Sequence, residues 1–338
     1  MPNQSEENVR RQSIFDMGIR RGLLLALGAL ISCNVTAQVQ QGAELLGQMA
    51  SSVRALDYQG SLVYQHAGRI DTLRVFHAGG TREQERLISL NGPRNEVIRN
   101  GNNVTCIQAD DSAIVYTSTS GRGLLPLVPE AATSRLDEHY TIRLAGSDRV
   151  AGYAADIVEV SPRDGFRYGY RLWLEKETRL LLRSVVMDQG KRQIEQFMFV
   201  SLDIGKTPAA TDLIPRQREL LTTTAAPADE VNLRGPPTWS AHSPPAGFTL
   251  RSARRSAASE AGAQHLVYSD GLASVSVYVE SMESTPDLPV TLANRGTLNI
   301  YSFSRDSWRF TVLGDVPAAT VTAIAESLKA NAASRPPP

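Results

Sequence analysis

The residue types that most often perform catalysis do not form a known catalytic pattern in this sequence. Its five histidines stand at positions 66, 77, 139, 242 and 265, and no two have the spacing of metal ligands. The chain contains no G-x-S-x-G nucleophile turn, no phosphate-binding P-loop, no H-E-x-x-H pair and no dinucleotide-binding glycine pattern. We therefore expect a protein that is not an enzyme and that uses no metal or cofactor.

Two sets of arginines have the chemistry to bind an anion. A guanidinium group binds a phosphate or a carboxylate through paired hydrogen bonds. The first set surrounds the turn at residues 91–94, and the second lies on a strand predicted at residues 247–253 and just beyond it. The predicted partner- or phosphate-binding residues are Arg82, Arg86, Arg94, Arg99, Arg251, Arg254 and Arg255. A solvated surface is the simpler interpretation of both sets, and anion binding is the alternative.

A strand of alternating residues at positions 166–175, FRYGYRLWLE, is the second kind of candidate site. Its period of two places the even-numbered residues on one face, whereas Arg167, Arg171 and Glu175 share the other face, which we expect to meet water. The even-numbered face is predicted to bind lipid together with part of a later strand. The predicted lipid-binding residues are Tyr168, Tyr170, Leu172, Leu174, Met198 and Val200. An ordinary sheet core is an alternative of about equal weight.

These candidates belong to what we predict to be a strongly curved antiparallel sheet. Apolar residues recur at helical spacing over residues 41–56, which predicts an amphipathic helix. Roughly ten short strands follow up to residue 202, with Gly, Asn and Asp in the turns between them. Because an open sheet must cover or protect its edges, we expect this one to wrap over the helix. The prediction is an unclosed β-barrel domain over residues 38–205.

The rest of the chain is predicted to form a linker and a second domain. A length of 338 residues favours two domains. Several prolines mark residues 206–237 as a linker, with a short helix predicted at residues 213–221. Residues 238–332 read as a smaller α+β domain with a terminal helix at residues 317–329, and residues 333–338 form a tail. Equal numbers of basic and acidic residues, 35 of each, argue against a nucleic-acid-binding protein.

The first 37 residues predict export. Arg20 and Arg21 precede the apolar run GLLLALGALIS, which is too short to span a membrane, and small residues lead to a cleavage site after Ala37. The acidic residues before Met17 fit a signal peptide poorly, so translation from Met17 is an alternative to Met1. Leu30 to Cys33 also match a lipobox, and a lipid anchor at Cys33 is therefore a second interpretation.

Three blocks of this sequence resemble the MucB/RseB family of periplasmic sigma-factor regulators. They are LISLNGPRNEVIRNGN at residues 87–102, SPRDGFRYGYRLWLEKETRLLLRSVVMDQ at residues 161–189 and HLVYSDGLASVSVYVE at residues 265–280. The resemblance extends over essentially the whole mature chain. The start of the chain is the one departure, because the extension before Met17 and the lipobox leave the mature N-terminus open.

The resemblance implies a fold and a function. The fold is a large N-terminal domain similar to the lipoprotein carriers LolA and LolB, an unclosed β-barrel around helices, followed by a smaller C-terminal domain. The implied partner is the periplasmic part of a RseA- or MucA-type anti-sigma factor, which these regulators shield from proteolysis until lipid-like ligands such as lipopolysaccharide release it. A lipid or lipoprotein carrier is the alternative function, and a secreted hydrolase is disfavoured by the absent motifs. A homodimer stays open.

Overall fold

The computed structural model describes residues 42, 44–108, 112–117, 136–215, 222–224, 230–256, 263–282 and 289–331. The predicted signal peptide at residues 1–37, with both Cys33 and Ala37, lies outside the described residues, as does the predicted tail at residues 333–338. None of the helices in the described ranges has the length and apolar character that crossing a membrane requires.

The large domain is built on one sheet of twelve strands. Its strand order is β12-β6-β5-β4-β3-β2-β1-β11-β10-β9-β8-β7, and all neighbours are antiparallel except β12 and β6. The sheet ends at β12 and β7 and is not closed, which confirms the predicted fold class. The strands are β1 (Tyr58–His66), β2 (Arg69–Ala78), β3 (Gln84–Ser89), β4 (Glu96–Asn100), β5 (Asn103–Ile107), β6 (Ser112–Thr117), β7 (Tyr140–Val150), β8 (Tyr153–Pro162), β9 (Gly169–Glu175), β10 (Leu181–Met187), β11 (Gln193–Ile204) and β12 (Thr222–Thr224).

Helix α1 (residues 44–55) lies across one face of this sheet, which we call the inner face. Near its start, a side chain at Gly42 would meet Ile142 of β7 at 2.8 Å, and near its end the carbonyl of Leu56 bonds His77 of β2 at 2.8 Å. The stripe predicted from its periodicity is buried at Leu45, Leu46, Met49 and Val53, whereas Leu56, just after the helix, is half-buried. It packs into one core with Leu62, Val75, Ile142, Val160, Leu172, Leu174, Phe197 and Phe199.

Two shorter helical elements complete the large domain. Helix α2 (Leu136–His139) leads directly into β7. A 3-10 helix (Ala210–Leu213) follows β11 and lies against β2 and β3. The predicted helix at residues 213–221 is therefore wrong at its start, because Ile214 is already extended with φ −116° and ψ 156°.

The small domain has a seven-stranded sheet of order β13-β15-β16-β17-β20-β19-β18 and a two-stranded sheet of β14 and β21. Helix α3 (Ala318–Glu326) covers the larger sheet with Val321, Ile324 and Ala325. The helix ends earlier than predicted, since residues 328–330 pair with β14 as a strand. The strands are β13 (Glu230–Asn232), β14 (Trp239–Ala241), β15 (Thr249–Ser256), β16 (Gln264–Ser269), β17 (Ser274–Ser281), β18 (Thr291–Arg295), β19 (Leu298–Arg305), β20 (Trp308–Gly314) and β21 (Leu328–Ala330).

Two residues that the alternation predicts on the water-facing side, Arg167 and Glu175, are buried, with 0% and 6% of their surface exposed. Glu175 ends β9, and its carboxylate accepts the backbone N–H groups of Glu177 and Thr178 in the following turn. Arg167 is buried because β9 begins only at Gly169, so Arg167 belongs to the preceding loop and does not follow the alternation of the strand. That loop enters the junction between the two domains.

Candidate binding surfaces

The loop between β8 and β9 connects the two domains through Arg167. The chain turns at Asp164, whose Oδ1 accepts the backbone N–H of Phe166 at 2.9 Å and whose Oδ2 pairs with Nη1 of Arg167. The Arg167 Nε then donates to Oδ2 of Asp270 in the small domain at 2.5 Å. Its Nη2 donates to the carbonyl of Ala246, also in the small domain. Every nitrogen of this guanidinium is thus hydrogen bonded, as burial of a charge requires.

Aromatic rings enclose the same guanidinium. Its Cζ lies 4.9 Å from the ring centroid of Phe248 and 5.7 Å from that of Tyr140, distances at which a cation is attracted to a ring face. The Tyr140 hydroxyl also donates to Asp270 at 2.9 Å. Burial raises the pKa of the Tyr140 hydroxyl well above its usual value, and the charge of Asp270 raises it further. Tyr140 therefore stays a neutral donor in this contact.

Further contacts extend this junction, which we call the seam. The Asn299 amide donates to the hydroxyl of Tyr168 at 3.1 Å, and the Thr320 hydroxyl of α3 donates to the carbonyl of Phe166 at 2.6 Å. Leu272 of the small domain packs into the core of the large one. Gly247 is required here, because it has φ +87° and a side chain on it would approach His139 to 2.2 Å. The two domains therefore meet in a specific and mostly buried contact.

The predicted lipid-binding residues do not all lie on one face. In the pairing of β9, β10 and β11, Leu172 stands beside Ser184 and Phe197, on the inner face. Met198 stands beside Arg183 and Trp173, on the opposite, outer face. The predicted common face is therefore wrong for Met198 and also for Val200, which is 50% exposed. The alternation of β11 does not identify its inner face, because apolar residues occupy both faces: Phe197 and Phe199 lie on one, and Met198 and Val200 lie on the other.

The remaining four residues of that set lie at different depths. Leu172 and Leu174 are buried in the core, with 4% and 0% of their surface exposed. Tyr170 is half-buried and packs against the same core. Tyr168 is buried in the seam. Of the predicted set, Tyr170 is the residue that combines an inner-face position with partial exposure.

The first arginine set is divided between the two faces of the sheet. Arg86 lies on the outer face, where its Nε bonds Glu96 at 2.5 Å and its Nη1 bonds the carbonyl of Asp212 at 2.9 Å. Arg99 lies on the inner face and pairs with Glu83 and Glu85. Both arginines are buried and already paired with carboxylates. Their role in anion binding stays a prediction, and this placement disfavours it.

The carboxylate of Glu83 shows how strongly these pairs are coupled. Burial alone would raise its pKa, but hydrogen bonds and charge from His77 and Arg99 outweigh burial and lower the pKa to about 2. His77 itself is 1% exposed and stacks on Tyr58 at a centroid distance of 4.5 Å. This cluster holds the end of α1 against the sheet and has a structural role that accounts for its charges.

The other predicted arginines are more accessible. Arg82 is exposed, and Arg94 is partly exposed and lies 3.8 Å from Glu96. Arg251 and Arg255 of β15 are exposed, while Arg254 is half-buried and donates to Asn232 at 3.3 Å. Arg82, Arg251 and Arg255 are therefore the members of the two sets whose exposed side chains best suit contact with a partner.

Asp270 is the important residue that the sequence did not single out. The motif Ser269-Asp270-Gly271 predicts a hairpin turn, and the turn is present, with Gly271 at φ +104°. The Asp270 Oδ1 accepts the backbone N–H groups of Leu272 and Ala273, as a turn aspartate does. Its Oδ2 remains for Arg167 and Tyr140, and the side chain is buried. The sequence feature that could have pointed to Asp270 is Arg167, which lies between two aromatic residues. An arginine that is buried among such residues needs an acidic partner.

Two family models together cover most of the chain. The model of the MucB/RseB N-terminal domain matches residues 41–218, and that of the MucB/RseB C-terminal domain matches residues 234–329. The first range contains α1 and the strands β1 to β11, and the second contains the small-domain strands β14 to β20 and the first two residues of β21. The chain belongs to the MucB/RseB family.

Relatives of this family align along nearly their whole length. The sigma factor AlgU regulatory protein MucB of Pseudomonas aeruginosa is 32% identical over 322 residues, which are 93% of this chain and 98% of that protein. The sigma-E factor regulatory protein RseB of Escherichia coli K12 is 27% identical over 328 residues, which are 96% of this chain and 99% of that protein.

Solved MucB structures share the fold. The MucA/MucB complex of Pseudomonas aeruginosa matches with a TM-score of 0.66 and 29% identity, over 86% of this chain and 99% of that chain. A second structure, MucB in complex with MucA(peri), matches with a TM-score of 0.64 and 28% identity over the same shares. MucB/RseB proteins are regulatory and binding proteins. His, Cys, Asp and Glu side chains in the described ranges form no group of three that could hold a metal ion.

Proposed function

We propose that this protein is a periplasmic negative regulator of an envelope-stress sigma factor. It binds the periplasmic part of a membrane-spanning anti-sigma factor of the MucA or RseA type and shields that part from regulated proteolysis. It has no catalytic role. The observation that carries this proposal is the match of both domains to MucB, a sigma factor regulatory protein that has been solved in complex with MucA.

A lipid or lipopolysaccharide-like ligand releases the partner in this proposal. The inner face of the large sheet offers half-buried apolar side chains that pack against the edge of its core: Tyr64, Leu73, Leu87 and Tyr170. Burial of an acyl chain on such a surface contributes about 0.8 kcal/mol per CH₂ group. A ligand that binds one arrangement of the two domains more tightly than the other shifts the protein toward that arrangement. The affinity for the anti-sigma factor then changes by at most the ratio of the ligand's affinities for the two arrangements.

Protection from proteolysis tests the proposal directly. The chain from residue 38 is mixed with the periplasmic segment of its anti-sigma factor, and cleavage of that segment by the first protease of the pathway is followed over time. We expect a complex at micromolar concentration, slower cleavage, and recovery of cleavage when lipopolysaccharide is added. Absence of both a complex and protection would reject the function.

The exposed arginines of the small domain provide the variants for this assay. Charge reversal at Arg251 and Arg255 is expected to weaken binding if these residues meet an acidic part of the partner. Arg192 of the large domain, whose side chain is 86% exposed, gives the matched charge-reversal control. Equal binding by all three variants would remove β15 from the partner surface while leaving the function itself intact.

A periplasmic lipid or lipoprotein carrier is the second candidate, favoured by the same apolar inner face. A carrier releases its cargo to an acceptor, so transfer of bound lipoprotein to an acceptor protein in the absence of an anti-sigma factor would support it. The buried seam speaks against it, because a simple carrier does not need a second domain held in a specific arrangement.

A further inference from the structure

The seam contains two carboxylates that share one hydroxyl. The Thr297 Oγ1, in the small domain, lies 2.6 Å from Oε2 of Glu195 in β11 and 2.8 Å from Oδ1 of Asp315. Glu195 belongs to the large domain, and Asp315 directly follows β20 of the small domain. Both distances are those of good O–H···O hydrogen bonds.

The number of protons limits this arrangement. A threonine hydroxyl carries one proton and can donate only one hydrogen bond. Two ionised carboxylates would leave the second short contact without a proton, with two negatively charged groups facing one oxygen. If Glu195 is protonated, its O–H donates to Thr297 and Thr297 donates to Asp315, so both contacts are satisfied. We propose that the assembled seam binds one proton at Glu195, and that mild acid therefore favours the docked arrangement of the two domains.

The surroundings of Glu195 agree with this assignment. Burial raises the pKa of Glu195 above its usual value, and although hydrogen bonds from Thr297 lower it, the charge of Asp315 raises it again. Neither carboxylate forms an ion pair with a lysine or an arginine of the described ranges. Val186, opposite Glu195 in the β10–β11 pairing, adds no charge.

His66 and Tyr168 are titratable groups near this site. His66, at the end of β1, lies nearby, since a side chain on Gly296 would be 3.9 Å from its Cβ and 3.7 Å from Oε2 of Glu195. Its Nε2 lies 2.8 Å from Oδ2 of Asp71 and hydrogen bonds to that carboxylate. Burial raises the pKa of Tyr168, the hydrogen bond from Asn299 lowers it, and the charges of Asp315 and Asp188 raise it again, so Tyr168 remains a neutral hydroxyl near neutral pH.

The direction of the pH effect follows from linkage. Burial and the charge of Asp315 raise the pKa of Glu195 above its usual value of 4.5, and both belong to the docked arrangement, so this pKa is higher when the domains are docked than when they are apart. The stabilisation of the docked arrangement is complete below the lower pKa and is lost as pH rises through the higher one. Between the two, the ratio of docked to separated molecules changes about tenfold for each pH unit.

Fluorescence resonance energy transfer between one dye on each domain can follow the balance between docked and separated domains. Cysteines replace the exposed Lys206 in the large domain and Leu292 in the small domain, and serine replaces Cys106 in the chain from residue 38. The labelled protein is titrated with urea at a series of pH values, and the urea concentration at which half of the energy transfer is lost measures how strongly the docked arrangement is favoured. We expect this midpoint to rise as pH falls toward 4.5, the usual pKa of the glutamate carboxyl. The ¹³C signal of the Glu195 carboxyl should titrate above 4.5 in the native protein.

Three variants decide the outcome. Glu195→Gln supplies a permanent N–H donor to Thr297 and should stay docked without this pH dependence. Asp315→Asn removes the repulsion and should move the Glu195 titration toward 4.5. Glu44→Gln, on the exposed side of α1, should behave as the wild type. A pH dependence that survives in Glu195→Gln, or a Glu195 carboxyl that titrates at its usual value in the native protein, would overturn the proposal.

Discussion

At the scale of single residues, Arg167 shows what a buried charge requires. Its three nitrogens bond Asp270, Asp164 and the carbonyl of Ala246, and its side chain has no exposed surface. Removing one member of such a set leaves the other charge buried without a partner, which typically costs about 3–5 kcal/mol. An exposed pair of similar chemistry contributes only about 0–1 kcal/mol. The same chemical change should therefore have very different effects at two places in this protein.

We expect Arg167→Met to lower the free energy of unfolding by about 3–5 kcal/mol, because Asp270 then remains buried and uncompensated. Arg143→Met is the matched control, since Arg143 is 56% exposed and pairs with Glu159 on the surface. Urea unfolding followed by circular dichroism measures both. The double variant Arg167→Met with Asp270→Asn should recover part of the loss. Similar losses for Arg167→Met and Arg143→Met would show that the seam contact contributes no more than a surface pair.

The sequence indicated some of these residues and not others for a clear reason. Alternation identifies side chains inside a regular strand, so the burial of Leu172 and Leu174 could be predicted. Arg167 lies two residues before β9 begins, where the alternation does not apply. The partner of Arg167, Asp270, is 103 residues away in the chain. Contacts between domains depend on the final docking, and no local pattern encodes them.

At the scale of elements, the pairing of strands decides which side chains share a face. The alternation of β9 and the helical period of α1 were enough to predict a curved sheet over an amphipathic helix. The relation of β9 to β11 was not predictable, because a shift of one residue exchanges the two faces of a strand. Register bulges at Ser61/Leu62 and at Leu181/Arg183 interrupt the regular count. Because apolar residues occupy both faces of β11, alternation alone could not show that Met198 and Val200 lie on the outer face.

The proposed lipid surface can be tested on two neighbouring residues of β9. Tyr170 lies on the inner face and is half-buried, whereas Arg171 lies on the outer face, opposite Glu159. A charge at Tyr170 would oppose entry of an acyl chain, so Tyr170→Asp should reduce lipid-induced release of the anti-sigma segment more than Arg171→Asp does. The lipid concentration at half-release is the quantity to compare. Equal shifts in both variants would argue against the inner face as the lipid surface.

At the scale of the whole molecule, the seam makes the two domains depend on each other. Each domain has its own core, but Leu272 comes from the small domain and packs with the core of the large one. The interdomain bonds of Arg167 and Tyr168 cannot persist once either domain unfolds. Domains joined by buried contacts of this kind unfold together, whereas loosely joined domains unfold separately.

We therefore expect a single calorimetric unfolding transition in the wild type and two transitions in Leu272→Asp. Leu272 is 9% exposed at the seam, and a carboxylate there would be buried without a partner when the domains dock. Leu292→Asp is the control, because Leu292 is 53% exposed on the edge strand β18 and the change should alter stability by no more than about 0.5 kcal/mol. The far-UV spectrum of Leu272→Asp should remain native, which separates undocking from misfolding. One transition in a folded Leu272→Asp protein would show that the coupling of the two domains does not depend on Leu272.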